Sequence, residues 1–315
     1  MGSVVVSVDA ELAWGFHDME SPPADRVAAG RPGWLALLSL LDDYHVPATW
    51  AVVGHLLLSS CDGTHQEHPA PMGWFDHERG PDRTPDDLRL GRDLVSAIRS
   101  ADVDHDVGSH TFSHVVLGDP RTTRELARAE VAASLELAHR DGLDPVAFVF
   151  PRNRVGHRDV LAAYGFSCYR GVRPDADDGS RLFGPARKLA EATVGDPPPL
   201  VTPTVDEYGL VNVPASLFLF GFEGLPRSIV EPVIGDPIVR QARRGIDAAA
   251  RSDGVFHVWL HPNNLVAERD VERMRTIMAH VDRRRRETPL RVETMRDVAE
   301  RVLDDPVAGE LESIG

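Results

Sequence analysis

Val4-Val-Val-Ser-Val8 runs directly into Asp9-Ala-Glu11. The first five residues are small or β-branched and show no polar alternation. Such a run reads as a strand buried on both faces, the kind found in parallel sheets. Further runs follow at intervals: 47–53, ended by Gly54, a short one at 105–108, then 146–150, 166–170, 210–213, 255–260 and a last near 290–292. Helical patterns lie between them, at about 33–43, 86–100, 121–140, 157–164, 236–251, 268–286 and 294–303, with a further short helix expected at 185–193. Strands alternating with helices predict an α/β fold with a parallel sheet, open or closed into a barrel. Polar clusters fall just after several strands: Asp9 and Glu11, then Arg152 and Asn153, then His261. That strand end is where barrels and open α/β sheets build their sites.

Composition excludes several classes. The chain has 315 residues, 42% hydrophobic and 26% charged, which suits a folded domain rather than a disordered or fibrous chain. Its 34 basic and 49 acidic residues leave a net charge of −15. A general affinity for nucleic acid or anionic lipid is not expected, because both need a positive field. Lys188 is the only lysine. A high-GC codon bias accounts for the arginines, whereas a carboxylate surface adapted to high salt accounts for the acidity as well. The two cysteines, Cys61 and Cys168, form no CxxC and no disulfide framework. Cys168 reads as a buried thiol and Cys61 as incidental. No secretory leader and no apolar stretch of about 18 residues is visible, so a cytoplasmic chain without a membrane helix is expected.

Four short motifs carry chemistry. Asp9 and Glu11 are two apart on an extended segment and point the same way. One could hold a metal and the other accept a proton from water, or both could be solvated loop acids. In Gly108-Ser-His-Thr-Phe-Ser-His114, His110 and His114 share a face if the segment turns helically. They could supply two nitrogens to a divalent metal, or be ordinary core or surface histidines. Arg152, in Phe150-Pro-Arg-Asn-Arg154, could pair with a carboxylate. In His257-Val-Trp-Leu-His-Pro262, alternation places His257, Trp259 and His261 together, and His261 suits a general acid. The loop histidines His65, His68 and His77 read as solvated, with capping of the site or a stray metal as the other possibility. Arg283 to Arg286 end a helix, where cations are favoured.

Taken in order, these motifs resemble the polysaccharide deacetylase family, carbohydrate esterase family 4. Pro47-Ala-Thr-Trp-Ala-Val-Val-Gly54 is similar to its second strand, His105-Asp-Val-Gly-Ser-His-Thr-Phe-Ser-His114 to its metal motif, and Val258-Trp-Leu-His261 to its late motif. The resemblance runs from about 4 to 262 and implies a distorted (β/α) barrel of about seven parallel strands; the sequence pattern extends that barrel over 1–303, with Pro- and Gly-rich insertions near 59–86 and 173–208 and a tail at 304–315. The resemblance also implies one divalent metal, zinc first and Co, Ni, Mn or Fe as alternatives, and hydrolysis of an acyl group from a sugar, sugar nucleotide or glycan.

By the same resemblance His110 and His114 are metal ligands, Asp9 is the base and His261 the acid, with Arg152 pairing to Asp9. The family usually carries two adjacent aspartates. Ala10 follows Asp9 here, and Glu11 is the substitute for the missing ligand. The arginine motif also departs, with Phe-Pro-Arg-Asn in place of Arg-Pro-Pro-Tyr, which marks a divergent branch. Trp14, Asn153 and Trp74 are candidates to contact substrate, and Trp259 is either such a contact or core. Two other functions fit the same residues: hydrolysis of a non-sugar C–N bond, and a catalytically silent sugar-binding protein.

Overall fold

Strand β1 (Ser3–Ala10) is the hub of the architecture. In the computed structural model, which describes residues 1–81, 83–172, 197–221 and 235–304, every residue of β1 is buried. One edge of β1 pairs with β9 (Val255–Leu260). Its other edge pairs first with β10 (Arg291–Glu293) and then with β2 (Thr49–Val52). Val4, Val6 and Val8 face outward into the main core with Trp34, Leu37, Leu41 and Trp50. Val5 faces inward, with Ala51, Ala147, Cys168 and Val211. The two-faced burial inferred from the valine run is thus explained: helices cover one face and the barrel interior lies at the other.

The sheet continues through β3 (Asp106–Ser109), β4 (Ala147–Val149), β5 (Cys168–Arg170) and the hairpin of β6 (Thr204–Val205) with β7 (Val211–Asn212). At the other end, β8 (Leu217–Phe218) pairs with β9. All ladders are parallel except β6 with β7. Residues 213–216 close the gap between the ends. Val213 and Ala215 donate backbone N–H groups to Tyr169 and Gly171, and Ser216 donates to His257. The result is a distorted barrel with more, shorter strands than expected. Of the two-residue strands, Val211–Asn212 falls in the expected 210–213 run, whereas Thr204–Val205 and Leu217–Phe218 carry too little pattern to read.

Helices α1 (Ala24–Asp43), α2 (Asp86–Arg89), α3 (Arg92–Arg99), α4 (Arg124–Arg140), α5 (Arg158–Ala163), α6 (Pro237–Ala249), α7 (Glu268–Glu287) and α8 (Met295–Asp304) surround the sheet. The basic run 284–286 occupies the last turn of α7, as expected. Helix α1 starts well before the expected 33, and Pro32 lies inside it. Gly33 allows close approach within it: a Cβ would sit 2.1 Å from the Pro262 carbonyl oxygen. The helix expected at 86–100 is split at Leu90–Gly91, where the Gly91 N–H bonds to the Leu56 carbonyl. The expected helix at 185–193 lies outside the described residues, as do much of the 173–208 insertion and all of the tail beyond 304.

Helix α8 plugs the barrel floor with Met295, Val298 and Ala299. Above the plug the interior turns polar, at Ser7, Asp9, Arg170 and His257. No helix among the described residues is long and apolar enough to cross a membrane.

Candidate active site and metal centre

The turn after β3 holds two buried histidines at its ends, His110 and His114. It is not the helical turn the spacing suggested. Thr111 and His114 adopt φ of 63° and 62°, and this left-handed geometry brings the two rings to 5.1 Å. The turn is held from below by Glu130 of α4, a fully buried carboxylate. Glu130 accepts the Ser113 N–H at 2.8 Å and the Ser113 hydroxyl at 2.5 Å. His110 Nδ1 donates to the Val149 carbonyl at 2.8 Å, which fixes the tautomer and leaves Nε2 as an electron-pair donor. His110 Nε2 and both ring nitrogens of His114 are buried without a hydrogen bond among the described residues.

Glu11 supplies the third donor. Its backbone has left the strand and begins the 3-10 helix Leu12–Phe16. Glu11 Oε2 lies 3.1 Å from His114 Nε2 and 3.5 Å from His110 Nε2. Gly15 makes room for it, since a Cβ there would meet Glu11 Oε1 at 2.0 Å. Burial opposes ionisation of Glu11, but His261, His110 and His114 outweigh it and hold the carboxyl well below its usual range. Two imidazoles and a carboxylate with donor atoms within 4.8 Å of one another suit a divalent cation. The orphaned nitrogens are the observation that the donor set fits such an ion.

Asp9 is 3% exposed and does not join this set. Arg170 of β5 grips it with both fork nitrogens, at 2.5 and 2.8 Å. The sequence reading gave this role to Arg152. Arg152 instead sits at the rim, 41% exposed at its side chain, and donates to Asp18 at 2.5 Å and to the Gly15 carbonyl at 2.9 Å. Arg170 is the correct partner because it ends a strand whose inward positions are Cys168 and Arg170. A cation at the inward end of a short apolar run was the available signal.

Arg170 is itself over-determined. It donates to Ser7 Oγ at 3.1 Å and to Asn153 Oδ1 at 2.8 Å, and its guanidinium lies over the Trp259 ring at 4.4 Å. Burial, then the nearby arginine, pushes the His257 imidazole down to about 3, so this ring is neutral. Its Nδ1 donates to the Val213 carbonyl at 3.0 Å and its Nε2 accepts the Ser7 hydroxyl at 2.8 Å. A continuous hydrogen-bonded chain therefore runs beneath Asp9. Burial works against the Asp9 carboxylate, yet Arg170 prevails and its pKa is lowered.

His261 leaves β9 toward the same centre. Its Nε2 is 3.7 Å from Asp9 Oδ2 and 3.5 Å from Glu11 Oε1. With 20% of its side chain exposed, it is the most open member of the set. Two expected substrate contacts need revision. Trp14 is 1% exposed, donates its indole N–H to the Arg89 carbonyl and packs on His55; a sugar cannot reach it. Asn153 uses its side-chain oxygen on Arg170 and positions that residue. Trp259 is sandwiched between Phe218 and Arg170. Trp74 remains available. It donates to Ser113 Oγ at 2.9 Å and lines a cavity of about 500 Å³ with Asp18, Arg152 and Arg154. The loop histidines are not solvated: His65 and His68 lie against the buried carboxylates of Glu78 and Glu130, and His77 packs on Trp14.

No family model matches the chain, and no curated protein matches it. Solved structures do. A presumptive polysaccharide deacetylase from Mycobacterium smegmatis superposes with a TM-score of 0.61 at 18% identity, over 96% of this chain and 90% of its own. A probable polysaccharide deacetylase from Pseudomonas aeruginosa PAO1 gives 0.54 at 13% identity, over 95% and 89%. Puue allantoinase gives 0.53 at 12% identity, over 95% and 89%. The barrel described above is therefore the fold of the polysaccharide deacetylases.

Proposed function

We propose that the chain is a metal-dependent hydrolase that removes an N-acetyl or related acyl group from a sugar or glycan. The observation that carries this reading is the convergence of Glu11, His110 and His114 beside an arginine-held Asp9 and a partly exposed His261. Glu11, His110 and His114 would hold the cation, zinc first. A divalent ion in such a site supplies Lewis acidity toward the amide oxygen and lowers the pKa of water.

The protein's own groups complete the chemistry. Asp9 has about four lone-pair sites, of which Arg170 uses two, so it can accept a proton from the attacking water. Arg170 keeps it ionised and aimed. His261, on the open side, delivers a proton to the departing nitrogen. Trp74 and the arginines at the rim of the adjoining cavity are placed to receive a sugar ring and its polar substituents.

The test is acetate release over a panel of N-acetylated sugars, sugar nucleotides and glycans, before and after chelation. Turnover should vanish on chelation and return with metal. Asp9→Asn should abolish turnover and keep the metal. The fold shared with an allantoinase favours a second reading, hydrolysis of a non-sugar C–N bond. Turnover of a cyclic amide that survives chelation would establish it and end the first reading.

A further inference from the structure

A second cluster of ligand-type side chains packs against Trp14 through His55, whose ring centroid is 4.4 Å from the indole. His55 follows β2 in a 3-10 helix (Gly54–Leu57), Cys61 and His65 open the 59–86 insertion, and Glu78 ends the 3-10 helix Asp76–Glu78. Their donor atoms lie within 4.8 Å of one another. Cys61 Sγ is 3.2 Å from His65 Nε2 and 3.7 Å from Glu78 Oε2. His65 Nε2 is 2.9 Å from Glu78 Oε2, and His55 Nε2 is 2.8 Å from Glu78 Oε1. In a tetrahedral zinc site, bonds of about 2.0–2.3 Å put ligand atoms roughly 3.3–3.8 Å apart. The four separations given above lie within about half an ångström of that range.

The surroundings point the same way. His55 is wholly buried, and its Nδ1 faces the Arg89 carbonyl at 3.4 Å. That contact assigns the N–H to Nδ1 and leaves a lone pair on Nε2, facing the Glu78 carboxylate. The Nε2 contact has no hydrogen-bond direction. A lone pair against a buried carboxylate oxygen is repulsive unless a cation or a proton lies between them. Arg89 donates to Glu78 Oε1 at 2.6 Å, which orients the carboxylate. The Gly63 N–H donates to Cys61 Sγ at 3.3 Å, which favours the thiolate. Hydrogen-bonded ligands of this kind are the usual outer shell of a metal site.

We propose that His55, Cys61, His65 and Glu78 form a structural site for a zinc-type divalent cation, separate from the catalytic centre. Four protein donors close the coordination sphere and leave no position for a substrate. The site clasps both ends of the segment 61–78 to the barrel wall. That segment carries Trp74, whose indole bonds to Ser113 in the turn of His114. The second ion thus fixes the insertion beside the active site.

The experiment is cobalt and zinc loading of the full chain. Wild type should bind two ions, and Co²⁺ should give a thiolate-to-cobalt charge-transfer band in the near ultraviolet. Cys61→Ser should bind one ion and lose the band, with far-ultraviolet circular dichroism unchanged. His110→Ala/His114→Ala should also bind one ion and keep the band, so failure of the catalytic site is read separately. Zinc should also protect Cys61 from iodoacetamide in wild type, a readout that does not depend on the variants folding. Wild type that shows no thiolate band and alkylates equally fast with and without zinc would overturn the proposal.

Discussion

Arg170→Met removes the cation that faces Asp9 without greatly changing the volume of the stem. The lost interactions are two fork hydrogen bonds to Asp9, one to Ser7 and one to Asn153. Breaking a buried ion pair by removing one partner costs about 3–5 kcal/mol, because the remaining charge is left without compensation. Asp9 can escape part of that cost by taking up a proton. The opposing charge of Arg170 lowers the Asp9 carboxylate's pKa, so its removal should shift the acidic limb of kcat/KM to higher pH. Urea unfolding measures the first effect and a pH–rate profile the second. Arg170→Met/Asp9→Asn should be more stable than the sum of the single losses predicts, since neither charge then remains. Arg170→Lys should fall between, because an ammonium cannot reproduce the fork. An unfolding free energy within about 1 kcal/mol of wild type, with the acidic limb unmoved, would refute the reasoning.

Three further predictions concern other parts of the account. Gly15→Ala should displace Glu11 from the triad and weaken catalytic metal affinity by about 10–100-fold, read by competition with a chelating dye; unchanged affinity would show that Glu11 is not held by this packing. His257 is neutral when folded, with a pKa near 3 against 6.5 when unfolded, so the unfolded chain binds more protons between those values. Its contribution is therefore complete above pH 6.5 and is lost as pH falls toward 3, by a few kcal/mol on the scale of about 1.4 kcal/mol per pH unit; His257→Gln should flatten that part of the stability curve, and an unchanged slope would contradict the assignment. The acidic composition, read as a salt-adapted surface, predicts a melting temperature that rises into molar KCl; a flat curve leaves codon bias as the explanation for the single lysine.

Much of the barrel was legible because buried parallel strands leave uninterrupted apolar runs. The 3–10 and 255–260 strands are largely such runs, broken only by small or functional polar residues (Ser3, Ser7, Asp9 and His257), and both sit at the hub. The two-residue strand Leu217–Phe218 owes its state to pairing with β9 and leaves no local trace. The first part of α1, Ala24–Pro32, went unread: the expected helix began at about 33, whereas the helix runs through Pro32.

At the site, Asp9, Glu11, His110, His114 and His261 were all named from motif spacing, and the structure brings them together. What the sequence could not order was the pairing among them. Arg152 and Arg170 both follow or end strands, and only the inward direction of the β5 side chains selects Arg170. Glu130 was invisible for a related reason: on an amphipathic helix, one acid among many polar positions carries no mark of the buried turn it supports. The backbone also hid its own contribution. Leu12, Thr111, His114, Arg152 and Asn153 all hold positive φ, between 47° and 63°, and all lie in the turns that form the site. Such residues cost of order 1–3 kcal/mol each and are kept where the surroundings enforce them.

The central claim is that Glu11, taking the place of the missing aspartate at Ala10, completes a metal centre with His110 and His114. The most direct measurement is an anomalous difference map at the zinc edge from a crystal grown with zinc. The account predicts a strong peak bonded to Glu11 Oε2, His110 Nε2 and His114 Nε2, with Asp9 outside the coordination sphere and still gripped by Arg170. A map with no peak among these three residues, or with Asp9 as the carboxylate ligand and Glu11 turned away, would contradict it.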